Sequence, residues 1–282
     1  MNNTDIDEIV REVADRRNRL LQRLKTNLAY EFNAVMHPSG VGGLGEGTSK
    51  DWYMTFTVQP WRRADGSIDD RELVIHKPNV PKAELDSVTE SLRHNSVIRL
   101  RAQVSDETQG FDCWDKPQAL LIALCGNDVA DPELRMLAED LKKPKCFKDQ
   151  HLGRLQLDRK YGWIEGRRRL GFRRYKLYIN LQKDGSYDST MACDKVLFVE
   201  RNFEQLQRVI IDSLYETYAA YWESLGRLNQ KQFIRRVKLK SLGVSVDGSV
   251  DLYFTDGGLF LEHEIAILIG RDGIIGAAKL VG

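Results

Sequence analysis

Histidine and cysteine are scarce in this chain, five and four among 282 residues. The cysteines, Cys113, Cys125, Cys146 and Cys193, are widely spaced and none forms a C-x-x-C pair, which argues against zinc. They read as reduced, partly buried thiols in a reducing compartment. His151 and His263 stand alone in the C-terminal half, with no second histidine at ligand spacing, so no metal is expected. An excess of one charge is also missing: the net charge of +1 gives no global field toward nucleic acid or membrane. No apolar run reaches about eighteen residues, so no spanning helix and no membrane partner are expected. The opening MNNTDIDEIV is acidic and polar where a signal peptide would be basic and then apolar, and a cytoplasmic protein is expected. Nucleophile elbow, metal triad, phosphate-binding Walker loop and dinucleotide fingerprint are all absent. No cofactor is expected, and a non-enzymatic role is the stronger reading.

What remains is an ordinary globular composition, 42% hydrophobic and 29% charged, long enough for one large or two ordinary domains. Thr4 or Asp5 can cap a helix whose apolar residues, from Ile6 through Leu20, Leu24, Leu28 and Phe32, keep a helical period to about Met36. Its other surface is basic. Such a helix packs on its own domain or pairs with a second copy. The glycine-rich 37–47 stretch has no Lys-Ser or Lys-Thr ending and reads as a flexible connection.

Strands are expected over 51–59, 72–76 and 96–104, with a helix over 81–94. This is a small β-rich unit, a partly open barrel of a kind that often binds oligonucleotides. Trp52, Tyr53, Phe56 and Trp61 could stack bases but more often form core. A further strand falls within 111–122. Asp131 then caps a helix that starts with Pro132 and runs to Lys142, where Pro144 stops it. The domains expected are an N-terminal helix over 1–37, a small α+β domain over 48–143 and a C-terminal α+β domain over 150–282.

In that last domain strands are expected over 151–158, 161–165, 173–181, 237–246 and 250–254. Helices are expected over 189–198, 203–225 and 230–236. The stripe Phe203, Leu206, Ile210, Leu214 and Tyr218 is that of a helix covering a sheet. The fold class is therefore α+β, ending in an antiparallel sheet with one long helix packed across it.

The final stretch, 251–282, reads as three short strands joined by turns at Asp256-Gly257-Gly258 and Asp272-Gly273. Alternation puts Leu259, Leu261, His263, Ile265, Ile267 and Ile269 on one face, and Phe260, Glu262 and Glu264 on the other. His263 is then a buried hydrogen-bonded histidine, a proton carrier or, least of all, a metal ligand. With Asp256, Glu262 and Glu264 it forms a candidate polar cluster.

Several stretches resemble a known family in one order: Asp131-Pro132-Glu133-Leu134, Lys143-Pro144, residues 152–159 (LGRLQLDR), Trp163-Ile164-Glu165-Gly166, and Leu259-Phe260 with His263 and Ile265. The family is the bacterial domain of unknown function 2262, and the resemblance covers roughly 130–282. It implies a fold unit and no activity.

A basic hairpin is the second candidate site. From Arg154 to Lys176 there are nine Lys or Arg against two acids. Arg167, Arg168, Arg169, Arg173 and Arg174 crowd the turn, with Tyr161, Trp163, Phe172 and Tyr175 among them. Arginine among aromatic rings can hold an acidic protein or phosphates and bases. The plain alternative is a solvated strand balanced by Glu200, Glu204 and Asp212. A protein that binds another protein, of toxin-neutralising or scaffold type, is the first expectation. A nucleic-acid binder is the second, and a hydrolase using acids near His263 the third.

Overall fold

The computed structural model describes residues 3–45, 50–105, 116–221, 228–261 and 263–282, with 3–10 and 221 described by backbone alone. The chain divides into two compact units, 1–143 and 144–282.

The first unit is a closed five-stranded barrel. Its strands are β1 (Ala29–Gly45), β2 (Asp51–Arg62), β4 (Leu73–Pro81), β5 (Val97–Ser105) and β6 (Gln118–Gly126), with the two-residue β3 (Ile68–Asp69) appended to β2. Around the barrel the order is β1-β2-β4-β6-β5, and only β4–β6 is parallel. The expected partly open barrel is in fact closed, because β1 is long enough to serve both sides. Its first half pairs with β5, from Ala29↔Gln103 to Val35↔Val97, and its second half pairs with β2.

Two sequence expectations fail at β1. Helix α1 (Asn3–Leu24) stops well short of Met36, and Leu28 is 90% exposed. The glycine-rich stretch is strand as far as Gly45, with Gly43 opposite Met54 and Gly45 opposite Trp52; Glu46 and Gly47 lie outside the described residues. Glycine is required there by close approach: a Cβ on Gly43 would lie 2.4 Å from Leu85 Cδ2 and 3.3 Å from Trp52 Cε3.

The barrel core holds Met54, Phe56, Val58, Trp61, Ile75 and Leu100. Of the four aromatics that could have stacked bases, Tyr53, Phe56 and Trp61 are buried and Trp52 is half-buried. Helix α2 (Lys82–Ser91) contributes Leu85 to this core. Helix α3 (Pro132–Lys142) starts as its sequence predicts, with Asp131 accepting from the Leu134 amide at 3.2 Å. It packs Leu134 and Ala138 on Val35 and Val97. Leu20, Leu21 and Leu24 of α1 pack on Tyr53 and Leu120. Behind Tyr53 lies a buried polar chain. Tyr53 Oη meets His76 Nδ1 at 2.8 Å, and His76 Nε2 meets Gln118 Oε1 at 2.5 Å. Burial holds the His76 pKa below the usual histidine value, against the Gln118 hydrogen bond.

The second unit is one eight-stranded sheet in sequence order. Its strands are β7 (Lys145–Asp149), β8 (Gly153–Asp158), β9 (Trp163–Leu170), β10 (Arg173–Asn180), β11 (Lys238–Val244), β12 (Val250–Thr255), β13 (Glu264–Ile269) and β14 (Lys279–Val281). Every pairing is antiparallel except β10–β11. That one parallel step is forced by the crossover, which carries α4 (Ser189–Arg201), α5 (Phe203–Tyr221) and α6 (Gln230–Arg236) between two antiparallel meanders. The expected stripe on α5 is real: Leu206, Ile210, Leu214 and Tyr218 are buried in one core with Leu177, Ile179, Leu242, Leu252 and Ile267 of the sheet. All three helices pack into the core on one face of the sheet.

The turn before β8 is organised by a buried carboxylate. Asp149 accepts from the amides of His151 (2.7 Å) and Leu152 (2.8 Å), from Tyr187 Oη (2.6 Å) and from Ser189 Oγ (2.7 Å). Burial alone would raise its pKa, but these four donors hold it well below the usual carboxylate range. Asp149 thereby ties the sheet edge to the start of α4.

Candidate functional site

The β9–β10 hairpin sets the geometry of the basic cluster. Its register pairs Arg169 with Arg174, Arg167 with Lys176, Glu165 with Tyr178 and Trp163 with Asn180 on one face. The other face pairs Leu170 with Arg173, Arg168 with Tyr175, Gly166 with Leu177 and Ile164 with Ile179. Alternation thus divides the predicted residues between two environments.

Arg168 and Tyr175 lie on the helix-covered face. Tyr175 is 3% exposed, and its hydroxyl donates to Glu200 Oε1 at 2.9 Å. Burial, then the hydrogen bond and charge of Glu200, push this phenol up. Arg168 Nη2 lies 3.8 Å from the same carboxylate. Both residues therefore anchor the sheet to α4. Arg173 is exposed on this side, at the hairpin end.

Trp163, Arg167, Arg169 and Arg174 lie on the uncovered face. Arg167, Arg169, Arg174 and Lys176 are exposed, and none makes an ion pair among the described residues. Each of the two cross-strand pairs, Arg169–Arg174 and Arg167–Lys176, sets like charges directly opposite one another, which costs stability. Beside them three rings form a short cluster. Tyr161 lies 4.7 Å from Trp163 at 27°, and Trp163 lies 4.9 Å from Tyr178. Glu165 is the acid among them, 3.4 Å from the Trp163 indole nitrogen. Tyr178 was not singled out by sequence; the period-two spacing of 176, 178 and 180 was its signal. Of the acids expected to balance the hairpin, Glu200 meets Arg168.

The second candidate cluster does not converge. Asp256 is buried and accepts from the amides of Gly258 (3.0 Å) and Phe260 (2.7 Å), so its carboxylate organises a loop. The expected strand alternation begins only at Glu264. Before it Leu259 and Phe260 are both buried and Leu261 is 68% exposed at φ 56°, because 256–261 is a loop. His263 is half-buried just ahead of β13. Glu264 is paired with Lys240, and Glu262 lies outside the described residues. Among the described residues no three His, Cys, Asp or Glu side chains gather as a metal site requires. Among them, too, no helix is long and apolar enough to cross a membrane.

The site thus defines a class by shape: an α+β protein with a small barrel and a sheet that keeps one basic face open. Residues 149–280 match the family described as "Uncharacterized protein conserved in bacteria (DUF2262)", in agreement with the resemblance read from the sequence. Residues 17–141 match a second family, "Domain of unknown function (DUF7021)", which takes in Asp131 to Leu134. No curated protein matches the chain.

Proposed function

We propose that this protein works in the cytoplasm by binding another macromolecule through the open sheet face of its second unit, and that the partner is a protein with an acidic surface. Toxin-neutralising and scaffold proteins act in this way. The two opposed cation pairs, Arg169–Arg174 and Arg167–Lys176, carry this reading. A fold gains nothing from setting like charges across a strand pair, whereas an acidic partner gains by meeting four of them on one rigid surface. The free thiols of Cys125, Cys146 and Cys193 fit a reducing compartment. A second copy of the chain would meet α1 where the barrel leaves it uncovered, at the exposed Val13.

The test is a tagged pull-down from the native host, with and without nuclease, using the wild type and an Arg167→Glu/Arg174→Glu variant. One stoichiometric protein that survives nuclease and is lost with the variant is the expected result. Equal capture by the variant would remove the face from the mechanism.

Nucleic acid is the second reading, favoured by the Tyr161–Trp163–Tyr178 ring cluster beside arginines. The barrel order of the first unit adds a fold-level analogy, since Greek-key barrels of this size include oligonucleotide binders. This reading predicts capture that nuclease abolishes and affinity that falls steeply with salt.

A further inference from the structure

The far end of the same hairpin carries a second and different feature. Between the β9–β10 turn, the start of α5, and α6 with the start of β11 lies an open cleft of about 410 Å³. Leu170, Phe203, Ile234 and Leu239 give it an apolar lining, and Gln207 is a polar group within it. Arg173, Arg174 and Arg235 border it, and no acidic residue does. None of these three arginines makes an ion pair among the described residues. Phe172, also bordering the cleft, is fully exposed at the turn.

These properties specify a ligand by exclusion. The guanidinium groups of Arg173 and Arg235, on the helix side of the sheet, repel cations and favour a carboxylate or phosphate, which they can meet with paired donors. The apolar lining favours displacement of water by hydrocarbon. A bare inorganic anion would leave that lining wet, and a neutral hydrocarbon would leave the arginines unused. The volume lies in the lower part of the range for small-molecule sites, which run from about 300 to 1,000 Å³. A phenyl ring held wholly in water at the mouth is free to fold down on a bound apolar body, gaining the burial it lacks in the free protein.

We infer that this cleft binds a small amphipathic anion, an apolar chain or ring that ends in a carboxylate or phosphate. Arg173 and Arg235 hold the head group, Leu170, Phe203 and Ile234 hold the body, and Phe172 closes over it. The inference does not depend on the macromolecular partner, because Arg173 and Arg235 stand apart from the open sheet face.

The experiment is calorimetric titration of the full chain with decanoate, decyl phosphate, decanol and inorganic phosphate, each below its aggregation limit. Decanoate or decyl phosphate is expected to bind at one saturable site, and decanol at least about tenfold more weakly, the scale of one charge-assisted hydrogen bond. Inorganic phosphate is expected to give no saturable binding. Arg173→Gln with Arg235→Gln, both on exposed side chains, should weaken the anions about tenfold or more and leave decanol unchanged. Phe172→Ala should weaken the anions and decanol alike. Arg167→Glu should leave all four titrations unchanged, which separates this site from the open face. Absence of saturable anion binding, equal binding of decanol, or anion binding untouched in the double arginine variant would each overturn the inference.

Discussion

The two units use arginine in opposite ways. In the barrel, Arg62 makes two hydrogen bonds to the buried Asp131, at 2.8 and 2.9 Å, and a third to Glu133 at 2.9 Å. Arg63 and Arg71 both meet the buried Asp69, at 2.5 and 2.7 Å. The hydrogen bonds from Arg62, helped by Asn33 and the Leu134 amide, hold the Asp131 carboxyl far below its ordinary pKa. Asp69 is held low in the same way against its own burial, by Arg71 and Arg63. In the sheet, Arg167, Arg169 and Arg174 face solvent with a like charge across the strand. Arg62, Arg63 and Arg71 close the first unit on itself, whereas Arg167, Arg169 and Arg174 of the second make no ion pair among the described residues. Position explains this: the barrel folds Asp69 and Asp131 inward next to its arginines, while the helices of the second unit pack on the hairpin's other face.

This contrast is open to direct attack. Arg167→Glu with Arg174→Glu would put opposite charges across from Lys176 and Arg169. Partner capture should fall about 100-fold or more, while stability rises by a few tenths of a kcal/mol up to about 1 per pair. A loss of stability in thermal unfolding would show that the cations serve the fold after all. The opposite outcome is expected in the first unit. Asp131→Ala removes a helix cap and the main partner of Arg62, and should cost about 2 kcal/mol in denaturant unfolding without changing capture.

Gly43→Ala sharpens the comparison by testing packing in place of charge. The added methyl must displace the buried Leu85 and press on Trp52, at about 1–2 kcal/mol. An unchanged melting temperature would show that the strand has room to spare.

The smallest effect concerns pH. His76 is buried and neutral between Tyr53 and Gln118, so its folded pKa lies below the unfolded value of about 6.5. As pH falls past that value the unfolded chain takes up a proton that the folded chain does not. Stability is therefore full above about pH 6.5 and declines as pH falls below it. His76→Gln should flatten this slope. The Asp69, Asp131 and Asp149 contributions, with lowered folded pKa values, are lost only below about pH 3.9, so the decline from His76 begins at a higher pH than theirs.

Much of the fold was legible before any coordinates. The Asp131-Pro132 start of α3, the stripe along α5 and the Asp272-Gly273 turn all depend on contacts within a few residues, and each stands where the sequence puts it. The same holds for the alternation of Ile265, Ile267 and Ile269, all buried in β13. Of the candidate site, the basic and aromatic character of the hairpin could be read from composition. Its division into an anchoring half, Arg168 and Tyr175, and an exposed half, Arg167, Arg169 and Arg174, could not.

That division, like the identity of β1, was decided by the tertiary structure alone. Residues 37–45 carry the marks of a loop, and become strand because Trp52 to Val58 lie alongside and Leu85 packs against Gly43. Alternation says only that a strand has two faces. Which face a helix covers depends on α4 to α6, which follow the hairpin in the chain and pack back across it. Local hydrogen bonds and period are written into neighbouring residues. Burial depends on what distant residues bring, and here it settled which arginines hold the fold and which remain exposed.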